Sequence, residues 1–199
     1  PLHLALYGLV GYRVGRQHLY GGAFQTGSTC EKEFNGEQLA RQGVVVVSIA
    51  YRLNVFGFFA HAMLEKEAVD GRPCANFGFL DQRMGIQWVK DNIALFGGDP
   101  ANITVFGQSA GAASALAQSV SPMNDGLFQR VIMQSGGGTG LFNRHLWSLE
   151  DAQRNGARFL KYLEVESIAE ARSVPATDLL EAAVTFPACD WSGQGDDVG

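Results

Sequence analysis

The sequence predicts an α/β fold with a mostly parallel central sheet and flanking helices, and three observations support this prediction. Apolar, β-branched runs alternate along the chain with segments in which apolar residues recur at helical spacing. The run from Val44 to Ile49 is apolar without polar alternation, which is typical of a parallel strand covered on both faces. Residues 102–118 pass from a strand pattern through two glycines into a helix pattern, which indicates a tight strand-to-helix turn.

The elements before residue 100 follow from local patterns. Residues 35–41 predict a short helix, which Gly43 ends. A longer helix is expected after the strand at 44–49, and its predicted apolar face consists of residues at helical spacing: Leu80, Met84, Trp88 and Val89. Trp88 is assigned to core packing rather than to ligand contact. The run 96–100, which contains two glycines and a proline, ends this helix.

The elements after residue 100 continue the alternation. Residues 102–106 predict a strand, and the small residues 112–118 predict a helix that Ser121-Pro122 closes. A further strand is expected over 130–134. Residues 148–185 form a helical excursion, because capping or proline signals mark three helix starts, at Ser148, Ser167 and Pro175.

The run from Gly107 to Gly111 predicts a nucleophile elbow, a turn that presents a serine at the carboxyl edge of a sheet. Such a turn forces strained dihedral angles on Ser109 and crowds the positions two residues before and after it. Gly107 and Gly111 fit at these positions because they carry no Cβ. The spacing alone is weak evidence in a chain with 25 glycines, and the strand and helix patterns on either side give it weight. An ordinary glycine-rich turn is the alternative.

A nucleophilic serine also needs donors for the oxyanion that forms when it attacks a carbonyl group. The run Tyr20-Gly21-Gly22-Ala23-Phe24 is a glycine-rich loop that lies upstream of the serine. We expect backbone N–H groups of Gly22 and Ala23, together with that of Ala110 after the nucleophile, to form the oxyanion hole. An ordinary turn is again the alternative.

Eight segments of the chain together resemble one enzyme family. These segments are residues 20–24, 45–54, 58–59, 76–82, 87–93, 96–100, 107–111 and 134–136. On these segments, in the family's order, the chain resembles the type-B carboxylesterase/lipase family, which includes cholinesterases, fungal lipases and bacterial esterases of the α/β-hydrolase fold. The resemblance implies carboxylic-ester hydrolysis through an acyl-enzyme on Ser109, a small-molecule ester as substrate, and no metal or organic cofactor.

Members of this family use a serine, an acidic residue and a histidine in that order along the chain. The resemblance places the acid and the histidine beyond residue 199, so we expect residues 1–199 to be a single incomplete α/β-hydrolase domain that is inactive alone. A compressed triad within the chain is the alternative, and it requires Asp125 and His145, because His145 is the only histidine after Ser109. We expect His3, His18 and His61 to be surface or packing residues.

Two departures from the family pattern stand out. Residues 1–18 match poorly, because a polar run, Val14-Gly15-Arg16-Gln17-His18, stands where the family has an apolar strand. A divergent strand, an effect of truncation and a reading-frame error are the alternatives. Gln108 precedes the serine where cholinesterases and many relatives carry Glu, so a negative charge beside the nucleophile is missing. This difference argues against a cationic, choline-like substrate.

The composition excludes several classes of function. The net charge is −5, and no basic stripe with interleaved aromatic residues indicates nucleic-acid binding. The longest apolar run has the length of a strand, so no membrane span is expected. The three cysteines, Cys30, Cys74 and Cys189, lack metal-ligand spacing. Their odd number favours reduced thiols and a cytoplasmic location, with one disulfide plus a free thiol as the alternative. Neither a signal peptide nor the oligomeric state can be inferred.

Two other functions stay open at the level of the sequence. One is a non-catalytic, cholinesterase-like interaction protein, although that branch tends to lose the serine and Ser109 is present. The other is a hydrolase of amide or carbamate bonds, which uses the same nucleophile.

Overall fold

The computed structural model describes residues 4–7, 14–68, 73–136 and 147–186. Within these ranges the strands are β1 (Leu4–Tyr7), β2 (Val14–Leu19), β3 (Val44–Ile49), β4 (Ile103–Gln108) and β5 (Arg130–Gln134). The helices are α1 (Glu37–Ala40), α2 (Asn54–Phe58), α3 (Ala62–Glu67), α4 (Phe77–Asn92), α5 (Ala110–Val120), α6 (Leu149–Tyr162), α7 (Ile168–Ser173) and α8 (Ala176–Thr185). Short 3-10 turns cover Lys32–Phe34, Ile93–Phe96 and Pro122–Asn124.

The strands form one sheet in the order β1-β3-β2-β4-β5. β2 pairs in parallel with β3 and β4, and β5 pairs in parallel with β4, whereas β1 is antiparallel to β3. Leu19 at the end of β2 lies opposite Gly107 near the end of β4. The carboxyl ends of the parallel strands therefore meet at one edge, which is where open α/β sheets place their sites.

The central strand is the polar run that fits the family pattern poorly. β2 lies between β3 and β4, and Gln17 is aligned with Val47 on one side and Val105 on the other. Gln17 is fully buried, and neither polar atom of its amide has a hydrogen-bond partner among the described residues. β2 is held in the sheet by backbone pairing to two apolar strands, and for this reason its own polar side chains did not predict a central strand.

One face of the sheet packs against α4 and α5 through a buried apolar cluster that includes Leu19, Ile49, Ile86, Val105 and Ala115. The predicted helix is present as α4, but the prediction that Met84 belongs to its packing face is wrong. Met84 is 59% exposed, because the buried positions of α4 are Gly78, Gln82, Gly85, Ile86 and Val89. Successive residues turn by 100°, so residue 84 stands nearly opposite residues 82 and 86.

The remaining predicted elements of this part of the chain are confirmed. β3 and β5 have the predicted bounds, and α5 continues to Val120, one residue before Ser121-Pro122. Gly97, in the left-handed conformation with φ 79°, caps the 3-10 turn that follows α4. Trp88 is half-buried and packs against Phe96 and the core, as predicted.

The chain forms two compact units, one of Pro1–Tyr51 with Phe79–Asn143 and the other of Arg52–Gly78 with Arg144–Gly199. The second unit contains α2, α3 and the three predicted helices α6 to α8. Ser148 begins α6 with a capping box to Asp151, and Ser167 caps α7 by accepting a hydrogen bond from the Glu170 N–H. A buried cluster of Val55, Phe159, Ala183 and Phe186 holds these helices together. The single domain predicted from the sequence stays a prediction.

Candidate active site

Ser109 occupies the strained turn that the sequence predicts. It lies between Gln108, the last residue of β4, and Ala110, the first of α5, with φ 55° and ψ −122°. A positive φ is rare for a residue with a side chain and persists only where the surroundings enforce it. Here the Ser109 N–H donates to the Gln134 carbonyl oxygen at 2.9 Å, and the Ser109 carbonyl accepts from Ala112 and Ala113 in the first turn of α5. The backbone is therefore held on both sides of the candidate nucleophile.

The elbow glycines lie where a larger residue has no space. A Cβ on Gly111 would overlap the Leu19 carbonyl oxygen at the end of β2. A Cβ on Gly107 would overlap the backbone of Gly111 and lie 2.6 Å from the same Leu19 oxygen. Glycine is therefore required at both positions because the elbow packs tightly against β2 and, at Gly107, also against its own backbone at Gly111.

The glycine-rich loop after β2 reaches the nucleophile. A Cβ on Gly21 would lie 3.3 Å from the Ser109 Cβ and 2.8 Å from the Gln108 carbonyl oxygen. Gly22 and Ala23 both have positive φ, 114° and 54°, and both are exposed. The Gly22 carbonyl accepts hydrogen bonds from the N–H groups of Gln25 and Thr26, which close a tight turn. The loop is thereby fixed with exposed backbone beside Ser109.

Ala110 supplies the third predicted donor from the first position of α5. The first N–H groups of a helix lack intrahelical partners, and the helix dipole makes this end favourable for negative charge. Ala110 is fully buried and α5 is 11 residues long. The start of α5 and the loop at 21–23 thus flank the position of Ser109. The roles of Gly22, Ala23 and Ala110 as oxyanion donors stay a prediction.

Two buried tyrosines, which were not singled out from the sequence, anchor the start of this loop. The Tyr51 hydroxyl donates to the Tyr20 carbonyl oxygen at 2.7 Å, and the Tyr20 hydroxyl donates to the Tyr51 carbonyl oxygen at 3.0 Å. Their rings stack with centroids 4.5 Å apart. Burial raises the pKa of both phenols, so both stay neutral at physiological pH. Both residues lie in segments that carry the family resemblance, but no local pattern indicates that they pair.

A chain of buried amides connects this pair to the elbow helix. The side chain of Ser114 on α5 opposes the rise that burial causes in the pKa of the Tyr51 phenol. The Ser114 hydroxyl accepts from the Gln82 side chain at 2.9 Å, and Gln82 accepts from Gln118 at 3.1 Å. Asn124 donates to both the carbonyl and the side-chain oxygen of Gln118. Such groups are costly to bury unless they are paired, so each link constrains the next.

None of the histidines within the described residues, and not Asp125 of the alternative triad, is placed beside Ser109. His18 is buried between the Phe34 and Phe106 rings, at 4.8 and 5.1 Å, as predicted for a packing residue. The side chain of His61 accepts from the Met63 N–H and caps α3, a role that the sequence did not predict. His3 and His145 lie outside the described residues. Asp125 is exposed beyond the far end of α5, and a helix of that length spans about 16 Å.

The other expected features can be stated only for the described part of the chain. There, no group of His, Cys, Asp or Glu side chains is arranged to hold a metal ion. In the same residues, no helix has the length and apolar character to cross a membrane. Cys30 and Cys74 are free, and Cys189 lies outside the described ranges.

Comparison with known proteins gives consistent matches. Residues 18–193 match the model of the carboxylesterase family. Para-nitrobenzyl esterase of Bacillus subtilis is 41% identical over 168 residues, which are 83% of this chain and 32% of that protein. Bile salt-activated lipase of Mus musculus is 48% identical over 125 residues, 59% of this chain and 20% of the relative.

The fold matches as well. A crystal structure of a carboxylesterase from Geobacillus stearothermophilus superposes with a TM-score of 0.82, at 39% identity, over 94% of this chain and 40% of that one. This match confirms the predicted α/β fold with a mostly parallel sheet. The chain spans 32% of the Bacillus subtilis relative and 40% of the superposed structure. The family match begins at His18, which agrees with the poor fit of the residues before it.

Proposed function

The chain belongs to the carboxylesterase family, and from this premise we propose that the whole protein hydrolyses small carboxylic esters with Ser109 as its nucleophile. The observation that carries this proposal is the strained backbone of Ser109, with φ 55°, at the carboxyl edge of the sheet and next to Gly21. A strained turn is maintained against a free-energy cost of about 1–3 kcal/mol, and nucleophile elbows use such a turn to expose a serine.

The proposed reaction has two steps. A histidine removes the proton from the Ser109 hydroxyl, the oxygen attacks the ester carbonyl carbon, and the negative charge moves to the carbonyl oxygen. The N–H groups of Gly22, Ala23 and Ala110 stabilise that charge, and the alcohol leaves with the proton that the histidine returns. Water then attacks the acyl-enzyme with the same histidine as base, and the carboxylic acid is released. The family resemblance assigns the histidine and its acidic partner to the part of the whole protein beyond this chain.

The electrostatics of the site favour a developing oxyanion. The start of α5 carries a partial positive charge from its unpaired N–H groups, and Gln108 adds no carboxylate beside the nucleophile. Removal of one oxyanion donor typically lowers the rate by about 10²–10³. A neutral Gln108 stands beside the nucleophile, where a carboxylate would attract a cationic alcohol, and this favours neutral esters over choline-like esters.

The nucleophile is tested by replacement in the whole protein. We expect Ser109→Ala to abolish covalent labelling by a fluorophosphonate and to lower p-nitrophenyl acetate turnover by several orders of magnitude, with the fold retained. Ser135→Ala is a matched control, because Ser135 is exposed, has a positive φ of 53° and follows β5. Labelling that persists in Ser109→Ala, or that disappears in Ser135→Ala, would contradict the assignment.

A second comparison separates ester hydrolysis from the hydrolysis of related bonds. The wild-type whole protein is assayed with p-nitrophenyl esters and with the matching p-nitroanilides. We expect turnover of the esters and little of the anilides. Faster cleavage of the anilides would identify an amide hydrolase, and fluorophosphonate labelling without turnover of either would count against an ester hydrolase.

A further inference from the structure

The peptide that begins the oxyanion loop is held by a side chain from another part of the chain. The phenol of Tyr51 donates to the Tyr20 carbonyl oxygen at 2.7 Å. That carbonyl belongs to the same planar peptide unit as the N–H of Gly21, so a hydrogen bond that fixes the oxygen also fixes the orientation of this unit. Gly21 is the loop residue beside Ser109, and the loop continues directly into Gly22 and Ala23.

The phenol of Tyr51 is in turn tied to the helix that carries the nucleophile. Tyr51 is 6% exposed, and the side chain of Ser114, one turn inside α5, opposes the rise that burial causes in the pKa of its phenol. Ser114 is fully buried, and its oxygen accepts a hydrogen bond from the Gln82 side chain on α4 at 2.9 Å.

We propose that Tyr51 is a positioning residue that, through its hydrogen bond to Tyr20 and its link to Ser114, sets the distance of the oxyanion loop from Ser109. This inference rests on the proposed function. Tyr51 acts through the Tyr20 peptide rather than by touching the reacting atoms. Its contribution is to keep the Gly22 and Ala23 N–H groups where the negative charge develops. This stabilises the transition state more than it strengthens substrate binding.

The alternative is that the tyrosine pair serves the fold alone. The stacked rings, 4.5 Å apart, and the reciprocal bond from the Tyr20 hydroxyl contribute to packing in any case. Tyr51→Phe separates the two roles, because it keeps the stacked ring and removes only the hydroxyl that reaches Tyr20 and Ser114.

The experiment measures kcat and KM for p-nitrophenyl acetate in the whole protein, together with the inhibition constant of a trifluoromethyl ketone whose tetrahedral adduct carries an oxyanion. For Tyr51→Phe we expect a 10- to 100-fold fall in kcat, an equal loss of ketone affinity and a KM within twofold of wild type. Tyr162→Phe is the matched control, because the Tyr162 ring is half exposed and its hydroxyl lies 3.2 Å from the Thr185 hydroxyl.

The coupling to the elbow helix is tested by a double-mutant cycle. Ser114→Ala should lower kcat in the same direction, and its effect in the Tyr51→Phe background should be at least threefold smaller than in wild type, because the two groups act through one contact. Ser119→Ala is the control for a serine change on this helix, because Ser119 lies on the exposed side of α5 and its hydroxyl donates to the Leu116 carbonyl.

The outcomes are distinct. A kcat for Tyr51→Phe within twofold of Tyr162→Phe would overturn the positioning role, as would equal changes in kcat and KM accompanied by a lowered melting temperature. If Ser109→Ala retains labelling and turnover, the proposed function fails independently of the result at Tyr51. If Ser109→Ala is inactive and Tyr51→Phe is unimpaired, only the present inference fails.

Discussion

The spacing between the oxyanion loop and the nucleophile can be perturbed by a single methyl group at Gly21. A Cβ there would lie 2.8 Å from the Gln108 carbonyl oxygen and 3.3 Å from the Ser109 Cβ. A relaxed contact between a carbon and an oxygen atom is about 3.3 Å or longer, so Gly21→Ala requires the loop and the elbow to separate by about 0.5 Å. The φ of Gly21 is not in the left-handed region, so alanine adds a steric change without backbone strain.

The expected consequence is large for activity and modest for stability. Overpacking of this kind costs about 1–3 kcal/mol, whereas productive active sites tolerate displacements of only about 0.5 Å. A displacement of about 1 Å lowers rates by about 10²-fold, so we expect kcat to fall by about 10-fold or more. The assay is p-nitrophenyl acetate turnover at saturation, with the melting temperature of each variant measured in parallel.

Gly85→Ala is the control for the same substitution away from the site. A Cβ on Gly85, in α4, would lie 2.7 Å from the Ile49 side chain, which is as tight as the contact at Gly21. We expect Gly85→Ala to change stability by a similar amount and to leave kcat within twofold. The reasoning is refuted if Gly21→Ala retains full kcat, or if both variants lose kcat in proportion to their loss of melting temperature.

Further predictions concern the same loop and the central strand. Gly22→Val should lower kcat far more than it raises KM, because the φ of Gly22 is 114° and a Cβ there would overlap the Thr26 carbonyl oxygen. Ala23→Ser should be tolerated. Equal changes in kcat and KM for Gly22→Val would exclude Gly22 from the oxyanion hole. Burial lowers the pKa of His18 to about 4, so between about pH 6.5 and pH 4 His18 is neutral in the folded state and protonated in the unfolded state. Wild type should therefore lose up to about 3 kcal/mol relative to His18→Leu as the pH falls from about 6.5 to about 4, measured by urea denaturation; a pH-independent difference would contradict the buried neutral state.

The elbow and its strand and helix were predictable because their signals are local. Glycine at 107 and 111, the apolar residues before Ser109 and the small residues after it each report on conformation within a few positions along the chain. The N-terminal capping signals of α6 and α7 are local for the same reason. Ser148 and Asp151 lie three positions apart and bond each other directly.

The features that escaped prediction depend on contacts between distant residues. β2 is a strand because two apolar strands pair with its backbone, and its own side chains, Gln17 and His18 among them, indicate the opposite. The Tyr20 and Tyr51 pair joins positions 31 residues apart, and Gln82 meets Ser114 over 32 residues. Polar residues on an otherwise apolar background signal such networks, but only the fold decides which of them meet.

The buried amide of Gln17 has a consequence for improving the protein. It lies in the central strand, two residues before the end of β2, with both polar atoms unpaired among the described residues. An unpaired buried polar group typically costs about 1–3 kcal/mol. Position 17, in the strand that leads into the oxyanion loop, is therefore a suitable first site for a substitution that increases thermal stability. An apolar side chain of similar size at this position would increase the free energy of unfolding and leave the residues of the candidate active site unchanged.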